Sequence, residues 1–333
     1  MSQSKSGHAS RALLRALELT PIIMLVVLFL VFSVLAGDFF SLQNVENILL
    51  QSSYIGILAI GMTFVLLTAG IDLSVGTVMY VTAVVLAIVL NDLQLGLFLA
   101  VVASLLVCGG IGAITATLIT RFRISAFIVT LAALSVWRGV ALKFSQSQDI
   151  NFSDAVLQLN TYRVFGVIPA PLIIFAVVAV IGQIILRYTV YGRQIMAVGQ
   201  DTESARKAGL PVGRILASVY VISAMAAALA SVISIAQLGT VNAGFAQGIE
   251  FKAISAAVLG GASLFGGRGS ILPGAVIGSV LMQTISAGLQ YVNVDLYMEP
   301  IITALIIFFA VFLDSLRSRI VRQLQRKHIR IEE

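Results

Sequence analysis

Long apolar runs recur along the whole chain, and they decide what it can fold into. A membrane-spanning helix needs about 20 mostly apolar residues to cross about 30 Å of hydrocarbon. Ten candidate runs are present, at approximately 20–37, 50–69, 75–91, 95–119, 125–142, 169–186, 215–238, 251–265, 270–289 and 299–315. Only 11% of the residues are charged, against about 25% in ordinary soluble domains. We therefore predict an all-α integral membrane protein, a bundle of about ten transmembrane helices.

The basic residues indicate how these spans are oriented. Seventeen of the 21 Lys and Arg residues fall on segments that alternate to one side, namely 1–19, 70–74, 120–124, 187–214, 266–269 and 316–333. Acids populate the other side, at Asp38, Glu46, Asp92, Asp149, Asp154, Glu250, Asp295 and Glu299. The positive-inside rule then predicts that both termini are cytoplasmic. The expected organisation is a cytoplasmic segment 1–19, a transmembrane domain 20–315 and a basic cytoplasmic tail 316–333. Topology and anionic lipid account for the net charge of +6, so no nucleic-acid partner is expected.

The segment 187–214 is the longest polar stretch between apolar runs. Within it, residues 202–208 can form a short helix, with Asp201 as N-cap and Gly209 as the C-terminal stop before Pro211. The segment is either a solvated linker or a docking element. Connections of this length that carry their own structure are usually functional, which favours docking.

A short turn from Gly70 to Gly76 contains Asp72 and Ser74. A carboxylate at this position has two compatible interpretations. It can cap the helix that follows, or it can serve as a gate or pathway group, because carboxylates inside a membrane are costly. Other candidate pathway groups are Thr63 and Asn242, since few helical residues offer hydroxyl or amide groups.

Arg138 lies near the predicted outer end of the fifth span. Its aliphatic stem can reach along the membrane so that the guanidinium group meets the interface, or the group can form hydrogen bonds at the outer mouth. Both interpretations stay open from the sequence.

The stretch "GGASLFGGRGS", Gly260–Ser270, has part of the spacing of a phosphate-binding loop. That motif requires Lys and then Ser or Thr after its second glycine, whereas Gly267 and Arg268 follow Gly266 here. The stretch also joins two apolar runs rather than a strand and a helix. We predict a tight turn on the cytoplasmic side, built on glycines that adopt φ values other residues resist; the glycines are Gly260, Gly261, Gly266, Gly267 and Gly269. No catalytic cluster and no metal-ligand spacing occurs, so neither enzymatic activity nor a cofactor is expected.

Several of these blocks resemble one family of membrane proteins. Glu203-x-Ala205-x-x-x-Gly209 is similar to the "EAA…G" loop of ABC-importer permeases. Three further blocks are similar to the ribose, xylose and arabinose branch of the sugar and branched-chain amino-acid permease family: Gly61-Met-Thr63 followed by Gly70–Gly76, Trp137-Arg138-Gly139, and Gly248–Ser270. These blocks cover nearly the whole chain in the order expected for the branch.

The resemblance implies a permease subunit of a bacterial inner-membrane importer that moves a sugar and performs no chemistry itself. The expected partners are a second permease subunit, identical or paralogous, two cytoplasmic ABC ATPase subunits and a periplasmic sugar-binding protein. Residues 203–209 would then be the coupling helix, seated on the ATPase.

The chain departs from the branch at three places. It has Gly199-Gln200-Asp201 where relatives commonly have Gly-Gly-Asn, and Ser204 in place of a second alanine. Docking is expected to survive because the cap and the terminal glycine are kept. Lys252, at the expected outer mouth, stands where the branch more usually has a neutral or acidic residue.

An ion-coupled secondary transporter is the alternative function. Such proteins usually carry titratable groups deep in several helices, and Asp72 is the one candidate that the sequence suggests.

Overall fold

The computed structural model describes residues 20–295, 297–298, 300–305, 308–309 and 312. In chain order residues 20–291 form α1 (Thr20–Leu35), α2 (Leu42–Leu67), α3 (Val75–Ala87, continued by a π-helical turn Ile88–Asp92), α4 (Leu97–Thr120), α5 (Ala126–Ser145), β1 (Ile150–Asn151), α6 (Asp154–Thr161), β2 (Arg163–Val164), β3 (Ile168–Pro169), α7 (Ala170–Tyr188), α8 (Val190–Gln200), α9 (Thr202–Lys207), α10 (Val212–Leu238), β4 (Thr240–Val241), α11 (Ile249–Leu259) and α12 (Val276–Tyr291, preceded by a π-helical turn Ile271–Ala275).

Seven helices in the described part of the chain are long and apolar enough to cross a membrane. They are α2, α3 with its π-helical turn, α4, α5, α7, α10 and Ile271–Tyr291. The most apolar stretches of α2, α10 and α12 are 72–78% buried, whereas those of α4, α5 and α7 are 22–33% buried. Large apolar side chains on these outer helices, such as Phe98, Leu106 and Ile181, are exposed. An apolar surface of this extent fits lipid rather than water, so the predicted all-α membrane architecture is confirmed.

The expected count of ten spans differs from the structure at particular runs. The run 251–265 forms α11, whose 11 residues reach about 16 Å, half of the hydrocarbon thickness. The first run forms α1, a 16-residue helix shorter than a typical span. The last run, 299–315, lies partly outside the described residues, and both terminal segments, 1–19 and 316–333, lie wholly outside them.

Helix α10 is the centre of the bundle, packed against α2, α3, α4 and α6. Small residues allow this close packing. A Cβ built at Gly112 of α4 would lie 2.9 Å from the Ala224 Cβ of α10, and one built at Gly61 of α2 would lie 2.7 Å from the Ala226 Cβ. Such approaches are the usual basis of helix association in membranes.

The two ends of the bundle have different structures. At one end, α8 and α9 connect α7 to α10, and the turn between α4 and α5 lies beside the start of α10; we call this the α9 end. At the other end, β1 pairs with β4 and β2 pairs with β3, both antiparallel. Helix α6 lies between these pairs and packs on α10; we call this the hairpin end.

Two helices, α3 and α11, begin inside the bundle rather than at an end. Asp72, just before α3, contacts Ser223, about 16 Å along α10 from its first residue. Phe245, just before α11, contacts Arg138, about 18 Å along α5 from its first residue. The chain therefore passes through half of the bundle as irregular backbone before each helix starts. Irregular backbone at such depth is tolerated only where protein surrounds it or where it lines a cavity.

Candidate functional site

Helix α9 is a short, exposed helix at the α9 end, and five of its six residues are exposed. The carboxylate oxygen Oδ1 of Asp201 accepts hydrogen bonds from the backbone N–H groups of Glu203 and Ser204, each at 2.9 Å. The predicted N-cap is thus confirmed. Its bonds with Ser204, and then the Glu203 N–H, lower the pKa of Asp201, because each favours the ionised carboxylate.

The C-terminal stop of α9 is also confirmed. Gly209 has a φ of +82°, a left-handed conformation that glycine adopts without strain. Its N–H donates to the carbonyl of Arg206 at 3.0 Å, and the N–H of Leu210 donates to the carbonyl of Ala205 at 3.1 Å. These two bonds form a Schellman motif. Ala205 is the buried residue of the helix, so it anchors α9 while its neighbours face outward.

Helix α8 was missed by the sequence analysis, which left its residues as part of a polar segment. The hydroxyl of Thr189 accepts a hydrogen bond from the N–H of Gly192 and so caps its start. Ile195 and Val198, three residues apart, are fully buried. This spacing, after a threonine, was the available signal, but two glycines inside the helix weakened it.

The last turn of α8, which leads into α9, meets two other chain segments at Gly199. A Cβ built at Gly199 would overlap the carbonyl oxygen of Leu67, at the end of α2, and would lie 2.7 Å from the amide nitrogen of Gly267. The N–H of Gly267 in turn donates to the carbonyl of Leu67 at 2.9 Å. We call these three residues the glycine junction. It brings the segment 199–201, the turn after α2 and the stretch 260–270 together at the α9 end.

The predicted tight turn within 260–270 is confirmed for three of its five glycines. Gly261, Gly266 and Gly267 have φ values of +93°, +82° and +70°, which side chains rarely allow. Gly260 and Gly269 have no such φ, so the expectation was wrong for them. Close packing, and not a positive φ, favours glycine at these two positions. A Cβ at Gly260, for example, would overlap the carbonyl of Gly274.

Asp72 connects the segment before α3 to α10. It is 2% exposed, and its Oδ1 accepts from both the N–H of Ser74 (2.9 Å) and the hydroxyl of Ser74 (2.6 Å). Its Oδ2 accepts from the hydroxyl of Ser223 in α10 at 2.8 Å. Ser74 itself is the N-cap residue of α3, and its own side chain forms no capping hydrogen bond. Asp72 therefore supports the turn that opens α3, by accepting from the N–H of the N-cap residue Ser74, and joins that turn to α10.

The starts of α3 and α11 face each other in the middle of the bundle. A Cβ built at Gly76 would overlap the carbonyl of Ala246 and lie 2.7 Å from Oε2 of Glu250. Glu250 is 6% exposed and lies in the first turn of α11. The sequence analysis placed Glu250 among the acids outside the membrane, which was wrong, because the chain before α11 enters the bundle.

Arg138 holds this same segment in place. Its Nη1 donates to the carbonyl of Phe245 at 2.9 Å, and its guanidinium carbon lies 5.1 Å from the centre of the Tyr80 ring. The hydrogen-bonding interpretation of Arg138 is therefore the one that the geometry supports, at mid-depth rather than at an outer mouth.

The remaining candidate residues lie apart from this centre or are already bonded. Thr63 is fully buried, and its hydroxyl donates to the carbonyl of Ala59 in its own helix. Asn242 is exposed, and its Oδ1 accepts from the N–H of Gly244. Lys252 is partly exposed in α11. A Cβ at Gly70 would lie 2.5 Å from the Tyr220 hydroxyl oxygen, so close packing requires glycine there.

Comparison with known proteins gives consistent relatives over nearly the whole chain. Residues 44–313 match the family described as branched-chain amino acid transport system / permease component. The ribose import permease protein of Escherichia coli K12 is 34% identical over 319 residues, which cover 94% of this chain and 98% of that protein. The D-allose transport system permease protein of the same strain is 33% identical, covering 89% of this chain and 91% of the relative. The fructose import permease protein of Rhizobium meliloti is 33% identical, covering 89% and 84%. No solved structure matches the chain.

Proposed function

Because the chain belongs to the family of permease components of branched-chain amino acid transport systems, we propose that it is the membrane-spanning subunit of an ATP-binding-cassette importer that moves a sugar. It is a multi-pass integral protein of the cytoplasmic membrane. The relatives named for ribose, D-allose and fructose support a sugar as the substrate. ATP is hydrolysed by separate subunits, and this chain supplies the pathway.

The observation that carries the proposal is the position of α9. Helix α9 is exposed, capped at both ends and directly preceded by the glycine junction. Such a helix is suited to bind a partner protein and to move with it. We assign α9 as the helix that docks on the ATPase, with Glu203 on its exposed surface.

The glycine junction gives the motion of α9 a route into the bundle. Gly199 contacts two residues, Leu67 and Gly267. From Leu67 a short turn leads to Asp72, which is bonded to α10. From Gly267 the chain leads to α12. Because these backbone atoms are in direct contact, they cannot move independently, and a displacement of α9 displaces both turns. Paired helix starts at mid-depth are typical of transporter pathways, and α3 and α11, with Asp72, Ser74 and Glu250 beside them, form such a pair.

The proposed assembly contains two permease subunits, two cytoplasmic ATPase subunits and a periplasmic sugar-binding protein. In it the α9 end faces the cytoplasm and the hairpin end faces the binding protein. The irregular segment before α11 and α11 together complete one crossing, so the chain crosses about ten times and both termini are cytoplasmic. The basic residues at the α9 end, among them Arg123, Arg206 and Arg214, agree with this orientation.

The decisive experiment reconstitutes the chain with its ATPase and binding protein and measures uptake of labelled D-ribose, D-allose and D-fructose. We expect uptake of at least one of these sugars that requires all components and ATP. Proteoliposomes that contain the chain alone serve as the control. Uptake by the chain alone, driven by a proton or sodium gradient, would contradict the proposal and support a secondary transporter.

A further inference from the structure

A polar cavity of about 290 Å³ opens at the hairpin end. It lies between α2, α6 and α10, and its lining residues are Asn47, Leu50, Gln51, Tyr54, Asn160, Ser234, Gln237 and Leu238. At about 30 Å³ for each water molecule, it has room for roughly ten waters. That is the space of one small solute of similar size, such as a monosaccharide.

Carboxamide groups dominate the polar lining, and some of their hydrogen-bonding capacity is unused. The Oδ1 atom of Asn160 is buried and has no hydrogen-bond partner among the described residues. Gln237 uses its NH₂ group on the carbonyl of Leu50 at 2.9 Å, and its own carbonyl oxygen accepts no bond from the described residues. Gln51 accepts from Gln283, and its NH₂ group likewise remains available. A buried acceptor without a partner is costly, by about 1–3 kcal/mol, so a ligand or water is expected to serve it.

The unused groups include both acceptors and donors. The oxygens of Asn160 and Gln237 can accept, and the NH₂ group of Gln51 can donate. A hydroxyl group both donates and accepts, so a solute with several adjacent hydroxyls fits this set. Sites built to bond hydroxyls reject analogues that lack them, because the polar groups of the site are then left unpaired.

The lining contains no charged side chain. The charged neighbours are Glu46, next to Asn47, and Arg163 of β2, and these two pair with each other at 2.5 Å. An amino acid or a sugar phosphate needs opposite charges to compensate its own, since desolvating an unpaired charge is costly. The cavity therefore favours a neutral solute, although the family is described by amino acid transport.

The polar residues that α2 contributes to the cavity indicate that this face of the helix does not contact lipid. Asn47 and Gln51 are four residues apart, so they share one face of α2, and both are exposed. Carboxamides on a spanning helix seldom face acyl chains, because hydrocarbon offers no hydrogen bonds. Water or a solute meets the same groups without that cost.

We propose that this cavity is a weak binding site for a neutral polyhydroxylated solute, of monosaccharide size, at the end of the pathway where the binding protein releases it. The proposal rests on the proposed function as a sugar permease. The Glu46–Arg163 pair closes the rim of the site by holding the segment after α6 against the start of α2. Carboxamides and hydroxyls, rather than charges, select the solute.

The test measures binding to the full chain in lipid nanodiscs by saturation-transfer NMR. The probes are D-ribose, D-allose, D-fructose, D-ribose 5-phosphate and L-leucine. We expect signals from at least one neutral sugar and much weaker ones from the phosphate and the amino acid. Asn160→Leu should weaken sugar binding about fivefold, the effect of one lost hydrogen bond. It should leave thermal stability equal or higher, because it removes a buried acceptor without a partner.

Gln158→Leu is the matched control, since Gln158 is exposed on the same short helix and does not line the cavity. Gln51→Leu provides a second, independent lesion on α2. Sugar binding that is unchanged in both Asn160→Leu and Gln51→Leu would overturn the site, as would preferential binding of L-leucine. Uptake by the reconstituted importer separates the two proposals. Normal sugar uptake by these variants removes the site and keeps the function, whereas a wild-type importer that carries L-leucine and no sugar removes both.

Discussion

The backbone N–H of Gly267 donates to the carbonyl oxygen of Leu67 at 2.9 Å. This bond joins the turn after α2 to the turn before α12, although 200 positions separate the two residues in the sequence (267 − 67). Gly199, in the last turn of α8 just before α9, packs on both partners of the bond. A displacement of α9 therefore acts on both turns, which are bonded to each other. Substitutions in the junction should impair the transmission of this motion to the bundle without changing the surface of α9 that docks on the ATPase.

Gly199→Ala should damage this transmission. Its Cβ would overlap the carbonyl oxygen of Leu67, and overpacking of a close contact costs about 1–3 kcal/mol. We expect lower thermal stability and a lower ratio of sugar transported to ATP hydrolysed in the reconstituted importer. Gly213→Ala is the control, because a Cβ there meets nothing within 4 Å and the position is helical. Equal coupling ratios in the two variants would contradict a role of the junction.

Glu203→Lys should uncouple the importer without unfolding it. Glu203 is exposed on α9, where surface substitutions change stability by about 0.5 kcal/mol or less. A reversed charge at a docking surface costs several kcal/mol of binding, so we expect ATP-driven uptake to fall at least about tenfold. Membrane insertion, measured by fractionation, should be normal.

The salt bridge between Glu203 and Lys207 needs a separate control. The two groups are 3.3 Å apart, and both side chains are about three quarters exposed (76–77%), so the pair contributes about 0.5 kcal/mol or less. Lys207→Ala removes this pair and leaves Glu203 unchanged. If Lys207→Ala lowers sugar-stimulated ATP turnover as much as Glu203→Lys does, the effect comes from helix stability and not from docking.

The order of α9 should depend on pH through Asp201. Hydrogen bonds to its carboxylate lower the pKa of Asp201. The ionised form therefore favours the capped helix, fully above the ordinary aspartate value of about 4. This contribution disappears as the pH falls through the lowered pKa. A spin label at Arg206→Cys, in a variant that also carries Cys108→Ala, should become more mobile only in that acidic range, and it leaves the bonds between Asp201 and Ser204 intact. Asp201→Asn keeps the accepting oxygen and should abolish the pH dependence, and a dependence that persists in it would exclude Asp201 as the cause.

The sequence predicted α9 with both of its caps because the signals are local. Asp201 and Gly209 act within their own turn of backbone, so neither depends on the rest of the fold. The long apolar runs were equally visible, and α4 and α5 begin within two residues of the predicted limits. The match of the blocks 61–76 and 248–270 to a known branch predicted the family, which the relatives confirm.

The depth in the bundle at which a helix begins could not be predicted from the sequence. The run 251–265 is apolar enough to span, but Phe245, just before it, already contacts Arg138 about 18 Å along α5, so α11 needs only half the thickness. Hydropathy indicates whether a side chain can lie in an apolar environment. It does not indicate at which depth in the bundle a helix begins. The same limit misplaced Glu250, which is an acid and yet only 6% exposed.

Ser223→Ala tests whether Asp72 ties its turn to α10. The Ser223 hydroxyl donates to Oδ2 of Asp72 at 2.8 Å, and both groups are buried. Ser223→Ala would leave a buried oxygen of Asp72 without this partner, which costs about 1–3 kcal/mol, so we expect a clear loss of stability in denaturant titrations of the reconstituted protein. Ser104→Ala is the matched control, since Ser104 is also fully buried but its hydroxyl donates to the carbonyl of Ala100 in its own helix. That variant loses only a local bond, and its cost should stay below about 1 kcal/mol. If Ser223→Ala proves no more harmful than Ser104→Ala, Asp72 does not hold α10, and the route from the glycine junction to the middle of the bundle must run through α12 alone.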